Sequence, residues 1–259
     1  MIDFNPYLLS LLLSISFNLI IFLIAFNFQT DKLTDITYCS TFGIIALVLF
    51  WNNGSHSSLY RQAIAAMVLL WAIRLGSYLF RRILHKGKDS RFDSFRHSIR
   101  GFGGFYTLQA ISIWIVILPA IAALSNDIDI DENLPTITTG AFLFLFGWIL
   151  ETVADYQKFK FRSLASNDGK FMAAGLFKVI RFPNYLGEIL VWFGIFIFAI
   201  PTLAGFSWLT ILSPLWITFL LLKVSGIPYL ERSNKERYGH LESFQEYQIT
   251  TKKLIPGLY

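Results

Sequence analysis

The chain has 259 residues, of which 54% are hydrophobic and 15% charged, with a mean hydropathy of +0.53. So few charges cannot cover a water-soluble domain of this size, so most of the chain must be solvated by lipid. The net charge of +5 then has to be read against membrane topology rather than as a nucleic-acid footprint, and the single cysteine, Cys39, excludes an internal disulfide and a cysteine-based metal cluster.

A helix crosses the hydrocarbon core with roughly 20 mostly apolar residues, and only a helix satisfies its own backbone within one such segment. Seven segments come close to that length: 6–28, 37–52, 61–80, 106–124, 136–154, 185–203 and 206–223. The first is too long for a signal-peptide apolar region, has no basic residues before it and shows no small-residue cleavage site, so a retained span is expected. The second is short. The last two read as a helical hairpin turned at Pro201–Gly205. The expectation is an all-α fold: a polytopic integral membrane protein with seven transmembrane helices, forming a single domain over residues 1–259, with no internal repeat.

Basic residues then orient the bundle. The loop 81–105 holds seven Lys or Arg, the loop 155–184 holds six and the tail from Lys223 holds six, whereas 125–135 holds none. Under alternation the three basic segments share one face, and the positive-inside rule makes that face cytoplasmic, with the amino terminus out and the carboxyl terminus in. A multi-pass integral membrane protein with its basic face cytoplasmic is expected. Simple anchoring to anionic lipid would account for the basic loops. However, polar and acidic residues run on into the ends of the predicted spans, where burial is costly and usually functional.

Three stretches carry those residues. In ETVADYQKFKFR, Glu151 and Asp155 share one helix face beside Lys158, Lys160 and Arg162. They serve either as interface ion-pair partners or as contacts to a ligand that has both donors and phosphates. In GKFMAAGLFKVIRFPNYLGE, Pro183 starts a helix whose first turn holds Asn184, Tyr185 and Glu188, with Arg181 just before it. Free amides and the helix dipole there favour anionic groups. The tail YLERSNKERYGHLESFQEYQITTKKLIP is long enough to fold over a cytoplasmic cavity, and is otherwise an amphipathic interfacial helix. Arg74, near the cytoplasmic end of the third span, either snorkels or reaches a buried anion. There is no Walker loop, GFGGF at 101–105 follows no strand, and His56, His85, His97 and His240 lie in loops without metal-ligand spacing, so metal chemistry is not expected.

These three stretches together resemble the carboxyl-terminal signature of the steroid 5-alpha-reductase family, in particular its bacterial DUF1295 branch. The likeness covers residues 61–259 and is strongest from Glu151 onward. It implies a seven-span fold whose cytoplasmic half encloses NADPH, with tail residues 224–259 capping the cavity. It also implies hydride transfer to the carbon–carbon double bond of a conjugated enone lipid, such as a 4-ene-3-oxo steroid drawn from the bilayer. Asp155 and Arg162 match cofactor-holding positions, Glu151 a further polar contact, and Lys170 the basic position before the Gly-Leu-Phe. Asn184, Glu188 and Trp192 match the N-x-x-x-E-x-x-x-W run at the nicotinamide half. Arg74 and Tyr78 match the R-x-x-x-Y of the third span, Arg91 a phosphate-side arginine, and Arg232 and Tyr238 polar positions of the tail. Arg181 and Tyr185 belong to the bacterial R-H-P-N-Y form, and Lys158 adds to the basic set around the cofactor. Phe182 stands where that form has histidine, and Trp71 where vertebrate reductases have their presumed proton-donating tyrosine. The acid is therefore not transferred by position, and for the family's partner glutamate of the second span the nearest polar candidates are Asp35 and Tyr38, the catalytic residues the resemblance suggests.

Two other classes compete. A membrane methyltransferase resembling isoprenylcysteine carboxyl methyltransferase would hold S-adenosylmethionine, which carries no phosphates, so the cations Lys158, Arg162, Lys170, Arg181 and Arg232 favour the nucleotide. A transporter or scaffold would show paired inverted halves or mid-span charges. Membrane lipids are the only other expected partners: neither nucleic acid nor an obligate protein partner is indicated.

Overall fold

The computed structural model describes residues 5–52, 58–87, 89–126, 128 and 130–255. His56, Lys88, Asp127, Asp129 and the Pro256 that closes the tail motif lie outside them. All regular elements among the described residues are helical: α1 (Pro6–Asn27), α2 (Thr34–Asn52), α3 (Leu59–Lys86), α4 (Ile99–Ser125), α5 (Ile130–Ser163), α6 (Pro183–Ala199), α7 (Leu212–Phe219), α8 (Ile227–Tyr238) and α9 (Glu242–Thr250). Among the described residues seven stretches are long and apolar enough to cross a membrane: Pro6–Asn27, Thr34–Asn52, Leu59–His85, Ile99–Ser125, Glu132–Ser163, Pro183–Thr202 and Gly205–Tyr238. The protein is an all-α, multi-pass integral membrane protein.

The helices outrun the expected spans. α3 carries Arg81, Arg82 and His85 on to Lys86, α4 begins at Ile99, and α5 holds the whole Glu151–Arg162 motif. Lys, Arg, Glu and Gln are good helix formers, so a helix does not stop where its apolar run stops. It stops at caps, such as Gly87 with φ +84° after α3. His85 is therefore helical rather than in a loop, and Arg74 stands in the interior of a 28-residue helix rather than near its end. The seventh span is broken into a 3-10 stretch Gly205–Ile211, α7, one π-helical turn at Leu220–Val224, and α8. The break from the sixth falls after the 3-10 turn Ile200–Thr202, inside the expected Pro201–Gly205 turn.

The chain partitions into two compact units, Met1–Gly140 with Ile195–Ser213, and Ala141–Gly194 with Pro214–Tyr259. In the first, α1 buries a stripe of Ser10, Ser14, Asn18, Phe22 and Ala25 while Leu12, Leu19, Ile20 and Leu23 face outward. This reverses the pattern of a soluble amphipathic helix. Lipid solvates the leucines, so small and polar residues make the close interhelical contacts. Ser14 Oγ donates to the Ala110 carbonyl at 2.8 Å, and Gln109 Nε2 donates to Asn18 Oδ1 at 3.0 Å. Asn18 Nδ2 reaches Thr41 Oγ1 at 3.3 Å, which ties α1, α2 and α4 through one polar network.

At one end of this unit the α1–α2 and α3–α4 connections meet through charge. Arg96 pairs with Asp31 at 3.0 Å and Arg82 with Asp35 at 2.8 Å. Arg91 holds Asp89 through Nε and Nη2 at 3.0 and 2.7 Å and approaches Asp35 at 3.8 Å. Both connections leave the same membrane face, as alternation of the first three spans requires.

Candidate functional site

The second unit is organised by the crossing of α5 and α6. A Cβ on Gly187 would lie 2.7 Å from the Cβ and backbone nitrogen of Glu151, and one on Gly147 would lie 2.6 Å from the Gly187 carbonyl oxygen. Only glycine allows that approach. The crossing fixes three carboxylates below the surface: Glu151, Asp155 one helical turn on, and Glu188 next to Gly187 are 2%, 4% and 9% exposed. No set of three potential metal ligands clusters among the described residues.

Beyond the crossing α5 runs out to Ser163, with Lys160 and Arg162 in its last turn, where cations complement the exposed carbonyl end. The chain then turns back. Asn167 Nδ2 donates to the Phe161 carbonyl at 2.9 Å, and Gly169 and Gly175 supply positive φ values of +75° and +59°. Gly175 presses on the side chain of Gln157, whose Oε1 accepts from the Leu176 N–H at 2.9 Å. Gln157 thus anchors the returning segment, which enters α6 at Pro183. The amides expected to be free there are partly used: Tyr185 and Leu186 donate to the Phe182 carbonyl at 3.1 and 3.2 Å, and Pro183 has none.

The tail docks against this segment. The Arg181 N–H donates to the Lys252 carbonyl at 2.8 Å, the Phe182 N–H to the Lys253 carbonyl at 3.0 Å, and Tyr247 Oη to the Phe177 carbonyl at 2.6 Å. Burial pushes the Tyr247 phenol up to about 12, against the opposing pull of Arg181, so it stays a neutral donor at physiological pH.

Between these pieces lies a cavity walled by rings and cations. Phe161, Phe171, Phe177, Phe182, Tyr238, Phe244 and Tyr247 supply the rings, and Lys158, Arg162, Lys170 and Arg181 the positive charge. Glu231, from α8, is the carboxylate in the lining. Phe171 packs on Phe244 with ring centroids 5.1 Å apart and on Tyr247 at 5.4 Å, and the Arg181 guanidinium lies 5.8 Å from the Phe182 ring centre. The space enclosed is about 50 Å³, room for only a few water molecules.

Of the residues singled out in the sequence, Lys158, Arg162, Lys170, Arg181 and Tyr238 line this cavity. Glu151, Asp155, Glu188 and Trp192 are buried on α5 and α6 and are not in its lining. Asn184 and Tyr185 are half-buried at the start of α6, and Asn184 Oδ1 is buried without a hydrogen-bond partner among the described residues. Arg232 points away from the cavity: its side chain is 83% exposed and pairs with Glu236 one turn on. Asp35, Tyr38, Arg74, Tyr78 and Arg91 belong to the first unit. There Asp35 and Arg91 are engaged in the ion pairs described above, and the Tyr38 ring packs edge-on against Phe42 at 5.1 Å and Trp71 at 6.2 Å.

Sequence reasoning passed over Glu231, Lys253, Phe171, Phe244 and Tyr247. The three-residue spacing of Phe244 and Tyr247, which puts two rings on one face of a short polar helix, was the available signal for part of this set.

A helical membrane protein with this cavity is equipped to hold an anionic ligand that also carries rings. The chain belongs to the family described as "Protein of unknown function (DUF1295)", which matches residues 21–251. It is 28% identical over 124 residues to the 3-oxo-5-alpha-steroid 4-dehydrogenase 1 of Mus musculus, covering 48% of this chain and 43% of the relative. It is 26% identical over 121 residues to the steroid 5-alpha-reductase DET2 of Gossypium hirsutum, covering 46% and 42%. The 3-oxo-5-alpha-steroid 4-dehydrogenase 1 of Rattus norvegicus is 28% identical over 122 residues, covering 47% and 42%. The chain spans less than half the length of these curated relatives, and no solved structure matches it.

Proposed function

We propose that this protein is an NADPH-dependent membrane reductase that delivers hydride to the carbon–carbon double bond of a conjugated enone lipid, a 4-ene-3-oxo steroid or a molecule of similar shape. The observation that carries the reading is the four-cation, ring-lined cavity of the second unit, together with the likeness to steroid 5-alpha-reductases. Lys158, Arg162, Lys170 and Arg181 suit phosphates, and the aromatic walls suit the cofactor's bases. The buried Nε of Arg181, without a hydrogen-bond partner among the described residues, is a donor such a group would satisfy. S-adenosylmethionine, a cation at sulfur and without phosphates, suits this lining less well. Because the enclosed space is small, entry of a dinucleotide requires side chains of the tail to move aside.

The cofactor, when bound, supplies the hydride. The protein's part is to bind, to orient and to place a proton donor. As hydride reaches the β-carbon, charge develops on the enone oxygen, and a donor aimed at that oxygen in a dry site lowers the barrier. Tyr38 is the proposed donor. Asp35, paired with Arg82 and near Arg91, is a fixed carboxylate suited to positioning rather than to donating a proton. Asn184, Glu188 and Trp192 are assigned to the nicotinamide half, and Asp155 to the cofactor. The charged face, with the cavity and the tail, is assigned to the cytoplasmic side of a bacterial inner membrane, and the substrate is assigned to the bilayer.

The test is to follow NADPH absorbance while progesterone or testosterone is added to the protein purified in detergent. The expected outcome is NADPH consumption with a product two mass units heavier. Cofactor binding without any enone reduction would remove the proposed reaction, and absence of NADPH binding would remove the cofactor. Tyr38→Phe is expected to retain cofactor binding and lose turnover. Full activity in that variant would exclude it as the donor.

A further inference from the structure

Glu231 occupies an unusual position for a lone carboxylate in a basic wall. Its Oε1 accepts from Arg181 Nη1 at 2.9 Å and its Oε2 lies 3.1 Å from Lys253 Nζ. The two cations come from different parts of the unit: Arg181 from the turn before α6, and Lys253 from the segment after α9. One anionic group of two oxygens, gripped by two cations from separate segments, is the arrangement an oxyanion ligand would adopt.

The fit is incomplete. Arg181 Nε is buried and has no hydrogen-bond partner among the described residues. With Oε1 on Nη1 and Oε2 on Lys253, the Glu231 carboxylate makes no hydrogen bond to that Nε. A phosphate has three terminal oxygens set tetrahedrally, so it can engage Nη1, Nε and Lys253 together, and a charge-assisted fork of this kind is stronger than a single contact. Glu231 is also free to leave. Its side chain is 27% exposed and so already borders solvent. The hydrogen bonds that dock the tail, from the Arg181 and Phe182 amides to the Lys252 and Lys253 carbonyls, are main-chain and stay intact.

We infer that Arg181 and Lys253 form a phosphate subsite and that Glu231 is its built-in occupant, exchanged for a ligand phosphate on loading. The identity of the ligand as a pyridine nucleotide rests on the function proposed above, whereas the subsite itself does not. Apparent affinity is then lowered by the fraction of molecules in which Glu231 fills the site. A carboxylate ligand gains nothing over Glu231, but a phosphate adds a contact and a larger charge. Selectivity for phosphate is thus written into the competition.

The experiment measures binding of inorganic pyrophosphate, NADH and NADPH to the full chain in detergent, for wild type, Glu231→Gln and Lys253→Met. Glu231→Gln keeps the shape and removes the competing charge, so pyrophosphate is expected to bind about tenfold more tightly than to wild type. Lys253→Met is expected to weaken it by a similar factor. If the 2′-phosphate is the occupant, the Glu231→Gln gain for NADPH exceeds that for NADH; if the diphosphate is, the two gains match. Pyrophosphate affinity unchanged or weakened in a folded Glu231→Gln protein overturns the inference, and should that variant not fold, unchanged affinity in Lys253→Met does so. If the pyrophosphate order holds while no form binds either nucleotide, the subsite stands and the proposed reductase falls.

Discussion

Two clusters of charge are assembled on opposite principles in this protein. In the first unit, Arg82, Arg91 and Arg96 each have a carboxylate, on Asp35, Asp89 and Asp31, and the cluster closes the α1–α2 connection onto the α3–α4 connection. In the second unit, Lys158, Arg162, Lys170 and Arg181 share one cavity wall with the single carboxylate of Glu231. Matched charges, buried or half-buried, act as a joint: each offsets part of the other's desolvation penalty, and removing either leaves the other uncompensated. A cavity wall that carries four cations and one carboxylate is suited to a ligand that brings negative charge. The first cluster is accordingly read as architecture and the second as a binding site, although the sequence marks both only as basic segments.

The sharpest break of this comparison is Arg96→Ala. Asp31 is 4% exposed and would be left as a buried carboxylate without its arginine. Removing one partner of a buried pair costs about 3 kcal/mol or more, so unfolding in detergent is expected at clearly lower temperature, with nucleotide affinity retained in the surviving folded protein. Undiminished stability would mean that the first cluster is not a joint. Next in size is Arg181→Ala. A lost contact to an ionised phosphate is worth about 2 kcal/mol, so NADPH affinity is expected to fall roughly 30-fold by titration, with a smaller change in stability than Arg96→Ala produces. Equal affinity in that variant would take the cavity out of the site.

How far these outcomes could have been foreseen from the chain alone differs between the bundle and the cavity. The seven spans are legible because a run of apolar residues long enough to cross lipid has no competing fold. Their ends are not, because termination depends on caps such as Gly87 and on side-chain hydrogen bonds such as Asn167 to Phe161. The cations of the cavity were visible by type in KFKFR and in GKFMAAGLFKVIRF, since charge that close to a span is costly without a purpose. Glu231 and Lys253 were not, because nothing local in YLERSNKERY or ITTKKL states that their side chains meet at Arg181. The same limit explains Asp35 and Arg91. Their residue types are plain in the sequence, but their ion-pair partners Arg82 and Asp89 emerge only when the chain is folded. Buried position was read correctly at Glu151, Asp155 and Glu188, though the cavity is not lined by them.

Two smaller effects sharpen the contrast. Tyr247→Phe removes the hydroxyl that donates to the Phe177 carbonyl, at a cost of about 1 kcal/mol, seen as a modest fall in melting temperature. Its pH signature is distinct. The folded phenol titrates at about 12, above its ordinary value near 10, so the wild-type contribution is whole below pH 10 and is lost as pH rises from 10 towards 12. The Phe variant should lack that component of the alkaline decline, and an identical alkaline profile in both proteins would mean that Tyr247 does not hold the tail.

The smallest effect is expected at Arg232, which the resemblance assigns to the cofactor and the fold places on the outer side of α8. Its guanidinium and the Glu236 carboxylate, 83% and 65% exposed, form a helix-surface pair at 3.1 Å. Solvent screens such a pair to within about 0.5 kcal/mol, and α8 presents Glu231 and Asn234, not Arg232, to the cavity. Arg232→Ala should therefore leave NADPH affinity within about twofold of wild type, where Arg181→Ala lowers it far more. The pair of variants separates two explanations of the basic tail. If general positive charge near the membrane draws the nucleotide, both arginines matter in proportion to their charge and salt abolishes the difference. If the cavity does, position decides, and a tenfold loss at Arg232 would show that the binding surface extends around α8 to its exposed side.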